Sequence, residues 1–147
     1  MSKHFPEAQM VLGCLSVLLL LSGCGAPGPE CDSQDARDSV LKTISDNSNN
    51  ALVDFVARNS DTVAAKVSKA DTEAEKSAIW QQARQGAAYR LDAAIVMNSR
   101  NRAGRSVTCT ALLSATVEES SAEKEVDFRV EQAADGKLSV TVKPFQF

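Results

Sequence analysis

The spacing of apolar residues along the chain changes from helical to strand-like near residue 87. From Asp32 onward, apolar side chains recur every three or four positions, which is the spacing of one face of an α-helix. The polar run DNSNN at 46–50 interrupts this pattern, so it predicts two helices, or one helix with a break. Residues 61–70 fit neither period clearly. The apolar positions of the first part are Val40, Leu41, Ile44, Ala51, Leu52, Phe55 and Val56.

A further helix has a recognisable beginning and end. Thr72 and Glu75 form a T-x-x-E capping box, in which each side chain accepts a hydrogen bond from the backbone N–H of the other residue. A helix that begins there would bury Ile79 and Trp80 on one face. Gly86 is placed to end it.

The remainder of the chain alternates with a period of two residues, as β-strands do. Short polar loops separate four alternating segments, and Asp135-Gly136 is a typical hairpin turn. The pattern therefore predicts four strands in an antiparallel meander. Their apolar faces are Tyr89, Leu91, Ala93, Ile95 and Met97; Val107, Cys109, Ala111, Leu113, Ala115 and Val117; Val126, Phe128 and Val130; and Leu138, Val140 and Val142.

An antiparallel sheet usually buries one of its faces, and the helices are the only elements of this chain that can cover it. The sequence therefore predicts an α+β domain in which N-terminal helices pack on one face of a four-stranded antiparallel meander sheet. In general arrangement this domain resembles the small cystatin-like or NTF2-like folds. Such a resemblance concerns the fold and implies no function.

The first residues resemble the signal of bacterial lipoproteins. The apolar run from Val11 to Leu21 follows Lys3 and His4. It is too short to span a bilayer, which needs about 20 helical residues, and is typical of a secretory signal. It leads into Leu21-Ser22-Gly23-Cys24, which matches the lipobox. The resemblance implies cleavage before Cys24, a diacylglyceryl thioether on its sulfur and an acylated amino group. The alternative is an ordinary secreted protein.

The implied lipid would anchor the mature chain to a membrane, because each buried methylene contributes about 0.8 kcal/mol. In the Gram-negative lipoproteins that this signal resembles, aspartate after the modified cysteine favours the inner membrane. Gly25 therefore implies the outer membrane, with the domain facing the periplasm. We expect a cleaved signal peptide at 1–23, a lipidated cysteine and flexible Pro/Gly-rich tether at 24–30, and a single periplasmic domain at 31–147.

The cysteine count predicts a disulfide bond. Of four cysteines, Cys14 leaves with the signal and Cys24 carries the lipid, so Cys31 and Cys109 remain. A pair in an oxidising compartment is most simply a disulfide; two half-buried thiols are the alternative. Cys109 lies on the inward face of its predicted strand and Cys31 directly precedes the first helix. The bond would therefore join the beginning of that helix to the sheet.

The composition of the mature chain argues against several kinds of site. His4, the only histidine, lies in the leader, so Ser-His-Asp triads, Cys-His pairs and His-containing metal sites are excluded. The sequence has no Gly-rich phosphate loop and no regular calcium loop. The excess of 19 Asp and Glu over 16 Lys and Arg does not suggest a nucleic-acid partner. We therefore expect a non-enzyme without metal or cofactor.

Two groups of residues resemble catalytic motifs, and we interpret both otherwise. SVLK at 39–42 and SDN at 45–47 match two elements of penicillin-interacting enzymes, but they are consecutive turns of one predicted helix and no K-T-G follows. Glu73 and Glu75 fall in a first helical turn, and the two glutamates at 118–119 fall in a strand-end loop. Solvated charge is the expected role there, because general acid–base pairs need a pocket and separated pKa values.

The loop at 98–105, NSRNRAGR, contains three arginines and no acidic residue. Arg100, Arg102 and Arg105 fall between the first two predicted strands. Guanidinium groups bind carboxylates and phosphates bidentately, so the loop is a candidate site for an acidic partner protein, peptidoglycan carboxylates or lipid phosphates. The simpler interpretation is a solvated hairpin tip.

These observations favour a membrane-anchored, non-catalytic protein-binding module. One hypothesis is an inhibitor or immunity protein that neutralises a toxin or a lytic enzyme of the envelope. The alternative is an accessory lipoprotein subunit of an envelope secretion or conjugation assembly. Stoichiometry distinguishes them, because an inhibitor forms a discrete complex with one protein whereas a subunit co-purifies with a large membrane assembly.

Overall fold

The computed structural model describes residues 27–143. Over this range four helices precede four strands, which confirms the predicted α+β class. No helix within residues 27–143 combines the length and the hydropathy needed to cross a membrane. The signal peptide, the lipobox and residues 25–26 of the tether lie outside the described residues, as do residues 144–147. The elements are α1 (Gln34–Ser45), α2 (Ala51–Arg58), α3 (Asp61–Ser68), α4 (Glu73–Gln85), β1 (Ala88–Arg100), β2 (Ser106–Val117), β3 (Ser120–Gln132) and β4 (Leu138–Val142).

The polar run at 46–50 separates α1 from α2, so the predicted break is confirmed. Ser33 caps α1 by accepting a hydrogen bond from the backbone N–H of Ala36, at 3.3 Å. Asn50 caps α2 by accepting one from the backbone N–H of Val53, at 3.2 Å. Both helices turn an apolar stripe toward the sheet, and its buried members are Ala36, Val40, Ile44, Leu52, Val53, Val56 and Ala57.

The segment at 61–70, which the sequence pattern left open, is mostly the helix α3. Ser60 caps it by accepting a hydrogen bond from the backbone N–H of Val63 at 3.1 Å. Val63 is the one side chain of α3 that is fully buried, which explains the weak apolar pattern. α4 begins with the predicted capping box, in which Thr72 accepts from the N–H of Glu75 at 3.2 Å and Glu75 accepts from that of Thr72 at 3.0 Å.

The helix α4 forms an outer layer of the domain. It ends at Gly86, as predicted, where the glycine N–H donates to the carbonyl of Gln82 at 2.9 Å. None of its side chains is fully buried. Ile79 and Trp80 pack against the core but are only partly buried. The face of α4 that turns toward the core is therefore as predicted, but these two side chains are less buried than predicted.

The strands form an antiparallel meander in the order β1-β2-β3-β4. α2 packs against β2 and β3, α1 contacts β4 and β1, and α3 and α4 pack on each other and on α2. The opposite face of the sheet carries polar side chains such as Thr110, whose hydroxyl donates to the carboxylate of Asp127 at 2.6 Å, together with the exposed apolar residues Val96 and Leu112. The inner face of β2 and β3 is buried at every predicted position: Val107, Cys109, Ala111, Leu113, Ala115, Val117, Val126, Phe128 and Val130.

The edge strand β1 departs from the strict alternation that its sequence predicts. Its register with β2 shifts between Leu91 and Ile95 and again between Met97 and Ser99. Extra residues of this kind disrupt the ladder and bend the strand. Ala93 falls in the first irregularity and is exposed, and Met97, at the second, is 48 % exposed. The prediction that these two residues share a buried face is therefore wrong.

Cys31 and Cys109 form the predicted disulfide bond. The two residues are 78 positions apart in sequence, and their Cα atoms are 5.9 Å apart. Cys109 is fully buried in the middle of β2, and Cys31 lies just before Ser33, the N-cap of α1. The bond therefore joins the beginning of α1 to the centre of the sheet.

Candidate functional site

A concave groove lies between α2 and α4. Asp54 and Arg58, one turn apart on α2, line it from one side. Trp80 and Arg84, one turn apart on α4, line it from the other, because residues four apart project from the same side of a helix. The groove has a volume of about 640 Å³ and its lining residues are Asp54, Ala57, Arg58, Ser77, Trp80, Gln81 and Arg84.

An ion pair joins the two helices within this groove. Nε of Arg84 lies 2.7 Å from Oδ1 of Asp54, and both side chains are partly exposed. Pairs of this exposure contribute at most about 1 kcal/mol to stability. The main effect of this ion pair is therefore to orient the side chains of Asp54 and Arg84. Arg58, on the same helix as Asp54, is exposed.

A second hollow, of about 260 Å³, adjoins the groove and shares Gln81 and Arg84 with it. Tyr89 lines this hollow, and its hydroxyl accepts a hydrogen bond from the side-chain amide of Asn50 at 3.2 Å. Burial raises the pKa of Tyr89 above its usual value. We define the two hollows together as the α2–α4 surface, whose characteristic residues are Asp54, Arg58, Trp80, Gln81, Arg84 and Tyr89.

The α2–α4 surface carries the residue types that dominate the binding energy of protein interfaces. Trp, Tyr and Arg are enriched at interface hot spots. The only tryptophan and the only tyrosine of the chain both lie here. Phe55, next to Asp54 on α2, is 47 % exposed. The arrangement is suited to bind another protein, with aromatic anchors and charged groups beside them.

Sequence reasoning missed this surface because the helical pattern assigns Trp80 to the face that α4 buries. One signal was available: α4 is poor in apolar residues, so it has few side chains that could cover a tryptophan one turn before Arg84. The contribution of Tyr89 and Arg58 depends on tertiary packing and leaves no local signal.

The three arginines singled out from the sequence lie together at one end of the sheet. Arg100 is the last residue of β1, Arg102 and Arg105 lie in the following loop, and all three are exposed. Asn101 closes this loop by accepting hydrogen bonds from the backbone N–H of Arg105 through its side chain and of Gly104 through its carbonyl, each at 2.9 Å. Gly104 has a φ of 68°, which favours glycine there. We call residues 100–105 the arginine loop.

The first described residues of the chain pack directly on the arginine loop. A Cβ atom at Gly28 would collide with the carbonyl oxygen of Gly104 and would lie 2.8 Å from Nη1 of Arg100. Only a glycine therefore fits this approach without a shift. The β3–β4 hairpin lies at the same end of the sheet, because the backbone N–H of Gln132 donates to the carbonyl of Arg105 at 2.8 Å.

The α2–α4 surface lies toward the opposite end of the sheet. Tyr89 is near the beginning of β1 and pairs with Ala115, close to the β2–β3 turn. α4 and the same turn region border a common hollow, whose lining includes Ile79, Ala83 and Val117. The strand β2 has 12 residues, and a rise of about 3.3 Å per residue places its two ends roughly 36 Å apart.

Several charged side chains of the groups that resemble catalytic motifs make local structural contacts. Nζ of Lys42 lies 2.7 Å from the carboxylate of Asp46, one turn further along. Glu75 caps α4, and Glu119 accepts hydrogen bonds at the beginning of α3. Within residues 27–143, no group of three or more His, Cys, Asp or Glu side chains is placed to hold a metal ion.

Comparisons of the chain with protein-family models, with curated proteins and with solved structures find no match. The resemblance to cystatin-like or NTF2-like folds therefore stays a prediction. The α+β class itself rests on the observed order of helices and strands.

Proposed function

We propose that this chain is a lipid-anchored protein of the outer membrane, facing the periplasm, whose domain binds another protein without catalysing a reaction. The observation that carries the proposal is the concentration of Trp80, Tyr89, Arg58 and Arg84 on the concave α2–α4 surface. An inhibitor or immunity protein works in this way, because it neutralises a toxin or lytic enzyme by covering part of its surface.

The position of the α2–α4 surface supports this function. It lies toward the end of the sheet that is remote from the N-terminal segment, so a protein partner has access to it when the chain is held at its N-terminus. Trp80 supplies buried apolar area, and Arg58 supplies an exposed charge next to it. Truncating a central hot-spot residue typically costs 2 kcal/mol or more, which is about a 30-fold loss of affinity.

Two features support export and anchoring. The segment Leu21-Ser22-Gly23-Cys24 matches the lipobox at the end of an apolar run. The bond between Cys31 and Cys109 is of a kind that persists in oxidising compartments such as the periplasm. Both are consistent with a mature chain that begins at a lipidated Cys24.

Photocrosslinking in cells tests the binding surface. A photoreactive residue in place of Gln81, inside the groove, is expected to capture one envelope protein in a discrete complex. The matched control is a photoreactive residue in place of Ser139, which is exposed on β4 and remote from the groove. Capture from position 139 but not from 81 would place the interface elsewhere.

Variants then measure the contribution of individual residues. Trp80→Ala and Arg58→Glu are each expected to weaken binding of the captured protein by 30-fold or more, because both remove hot-spot contacts. Arg90→Glu is the control for charge reversal, since Arg90 is exposed on β1. Equal affinities for all three variants, or turnover of an envelope substrate by the purified protein, would contradict the proposal.

The alternative function, an accessory subunit of a secretion or conjugation assembly, is favoured by one observation. Val96 and Met97 on the edge strand β1 are 59 % and 48 % exposed, and Leu112 on the adjacent strand is 36 % exposed. A subunit that contacts several neighbours needs more than one interaction surface, and exposed apolar patches typically mark such surfaces. Co-purification with a large membrane assembly, instead of a discrete complex, would support this alternative.

Metabolic labelling tests the anchor separately. Labelled palmitate is expected to enter the wild-type protein, because the lipobox directs acylation of Cys24, and Cys24→Ser should abolish incorporation. Cys14→Ser is the control, since Cys14 lies inside the expected signal peptide. Processed wild-type protein that is soluble and unlabelled would contradict the localisation.

A further inference from the structure

We propose that the arginine loop is a membrane-contacting surface that binds the phosphate groups of the phospholipids in which the anchor is inserted. This inference rests on the proposed lipidation of Cys24. The juxtaposition that carries it is the contact between Gly28 and the arginine loop, because this contact brings the anchored end of the chain next to Arg100, Arg102 and Arg105.

The length of chain between the anchor and the loop restricts where the loop can be. Cys24 precedes Gly28 by four residues, and an extended chain spans at most about 3.6 Å per residue. The lipidated residue is therefore within roughly 14 Å of the point where Gly28 contacts Gly104. The headgroup layer on each side of a bilayer is about 5 to 8 Å thick. A loop this close to the anchor, with long arginine side chains, is within reach of that layer.

The charge at this end of the sheet is opposite to that of the chain as a whole. The three arginines take part in none of the ion pairs formed among residues 27–143. Of the nearby carboxylates, Asp135 lies 3.5 Å from Lys137 and Glu131 lies 2.7 Å from Arg129. Glu30 and Asp32 are the remaining acidic residues close to Gly28 in sequence. Three arginines against two carboxylates leave an excess of one positive charge, in a chain with more acidic than basic residues.

The backbone of this end is well suited to present these charges as one unit. Asn101 closes the loop, and the hydrogen bond from Gln132 to Arg105 ties it to the β3–β4 hairpin. Gly28, the loop and the hairpin also line a common cleft of about 340 Å³. Contact at this end would place the arginine-loop end of the sheet against the membrane. The α2–α4 surface, at the other end, would then face away from the bilayer.

Lipid phosphates fit this position better than the other anions that arginines bind. An acidic protein or peptidoglycan would have to enter the space between the domain and the bilayer, whereas phosphates are present there whenever the anchor is inserted. Each arginine near an anionic surface strengthens attachment about fivefold. The attraction falls off within a Debye length, about 8 Å at physiological ionic strength, so it acts only if the tether is short.

Fluorescence quenching in vesicles tests this orientation on the full, processed chain. Ala103→Cys places a thiol in the arginine loop, and Ser121→Cys places one at the opposite end of the sheet as the matched control. Each protein carries a fluorophore on its introduced thiol. The labelled proteins are inserted into vesicles that contain phosphatidylglycerol and a quencher at the level of the lipid headgroups. We expect strong quenching at 103 and little at 121, and we expect 1 M salt or vesicles of phosphatidylcholine alone to reduce the quenching at 103.

The variant in which Arg100, Arg102 and Arg105 are all replaced by glutamate separates this inference from the anchor. It should stay on the vesicles through its lipid but lose most of the quenching at position 103. Equal quenching at 103 and 121 in lipidated protein would overturn the membrane-contacting role and leave the anchor intact. The membrane-contacting role would also be overturned if the triple glutamate variant kept the quenching of the wild type but no longer bound an acidic protein partner. Mass analysis that finds no lipid on Cys24 would overturn both.

Discussion

Asn50 is a polar side chain that joins three elements from inside the core. It is 1 % exposed and accepts a hydrogen bond from the backbone N–H of Val53 at the beginning of α2. Its amide donates to the carbonyl of Ile44, at the end of α1, and to the hydroxyl of Tyr89 on β1. One residue therefore caps a helix, satisfies the end of the preceding one and positions an aromatic ring of the α2–α4 surface.

We predict that Asn50→Ala lowers the free energy of unfolding by about 2 kcal/mol or more. Loss of an N-cap costs about 1 kcal/mol, and partners left unsatisfied in the interior cost a further 1 to 3 kcal/mol each. Urea denaturation measures the change. Asn47→Ala is the control, because Asn47 is exposed in the same polar run and bonds only locally, to the N–H of Asn49. Equal losses for the two variants would show that Asn50 has no special role.

At the scale of elements, α3 is attached to the sheet by the β2–β3 turn. The carboxylate of Glu119 accepts hydrogen bonds from the hydroxyl of Ser60 at 3.0 Å and from the backbone N–H of Thr62 at 3.1 Å. Next to it, Glu118 lies 2.6 Å from Nζ of Lys66. Hydrogen bonding by Thr62 is the largest cause that lowers the pKa of Glu119 from 4.5 to about 2. A negative charge at the first turn of a helix is also favourable to its dipole.

This lowered pKa predicts a pH dependence of stability. The folded protein binds the Glu119 proton more weakly than the unfolded chain does, so the contribution of Glu119 is complete above pH 4.5 and is lost as the pH falls toward 2. Glu119→Gln should therefore have a lower melting temperature than the wild type at pH 7. The difference should shrink as the pH is lowered through this window.

Glu118→Gln is the matched control, because it removes a charge from the same turn and leaves Glu119 in place. This variant should keep the wild-type loss of stability between pH 4.5 and 2. A Glu119→Gln variant whose melting temperature differs from the wild type by the same amount at every pH would contradict the role assigned to Glu119.

At the scale of the whole molecule, the disulfide bond closes a loop that contains all four described helices. The bond between Cys31 and Cys109 encloses α1 to α4, β1 and part of β2. A cross-link over 78 residues restricts the unfolded chain strongly and, in the chain-entropy model, stabilises the fold by about 4 to 5 kcal/mol. It also holds the first helix on the sheet close to the N-terminal segment.

We predict that the native protein has no thiol at either position that can be alkylated. The double variant Cys31→Ala/Cys109→Ala should melt at a lower temperature than the wild type, because the unfolded chain regains its freedom. Mass analysis without reductant and calorimetry measure the two effects. Reductant should lower the melting temperature of the wild type and leave that of the double variant unchanged. Two alkylated thiols in native material would contradict the structure.

The sequence by itself determined the capping box of α4 and the inner faces of the central strands, because these signals are local. Thr72 and Glu75 form a capping box within one turn of chain. On the inner face of β2, apolar side chains recur at every second position from Val107 to Val117, and each of them is buried as the period requires. The position of Cys109 in that alternation placed its sulfur on the inner face, where Cys31 meets it. The polar run at 46–50 marked the boundary between α1 and α2 for the same reason.

Only the tertiary structure decided the features that join distant parts of the chain. β1 has a regular apolar pattern, yet it bulges where Arg37 of α1 donates hydrogen bonds to the carbonyls of Leu91 and Asp92, at 2.9 and 3.0 Å. Arg58 and Trp80 form one surface because α2 and α4 are neighbours in the fold. The arginine loop was visible in the sequence, but its contact with Gly28 was not. A residue pattern reports which side of an element is buried, whereas packing determines what that element meets.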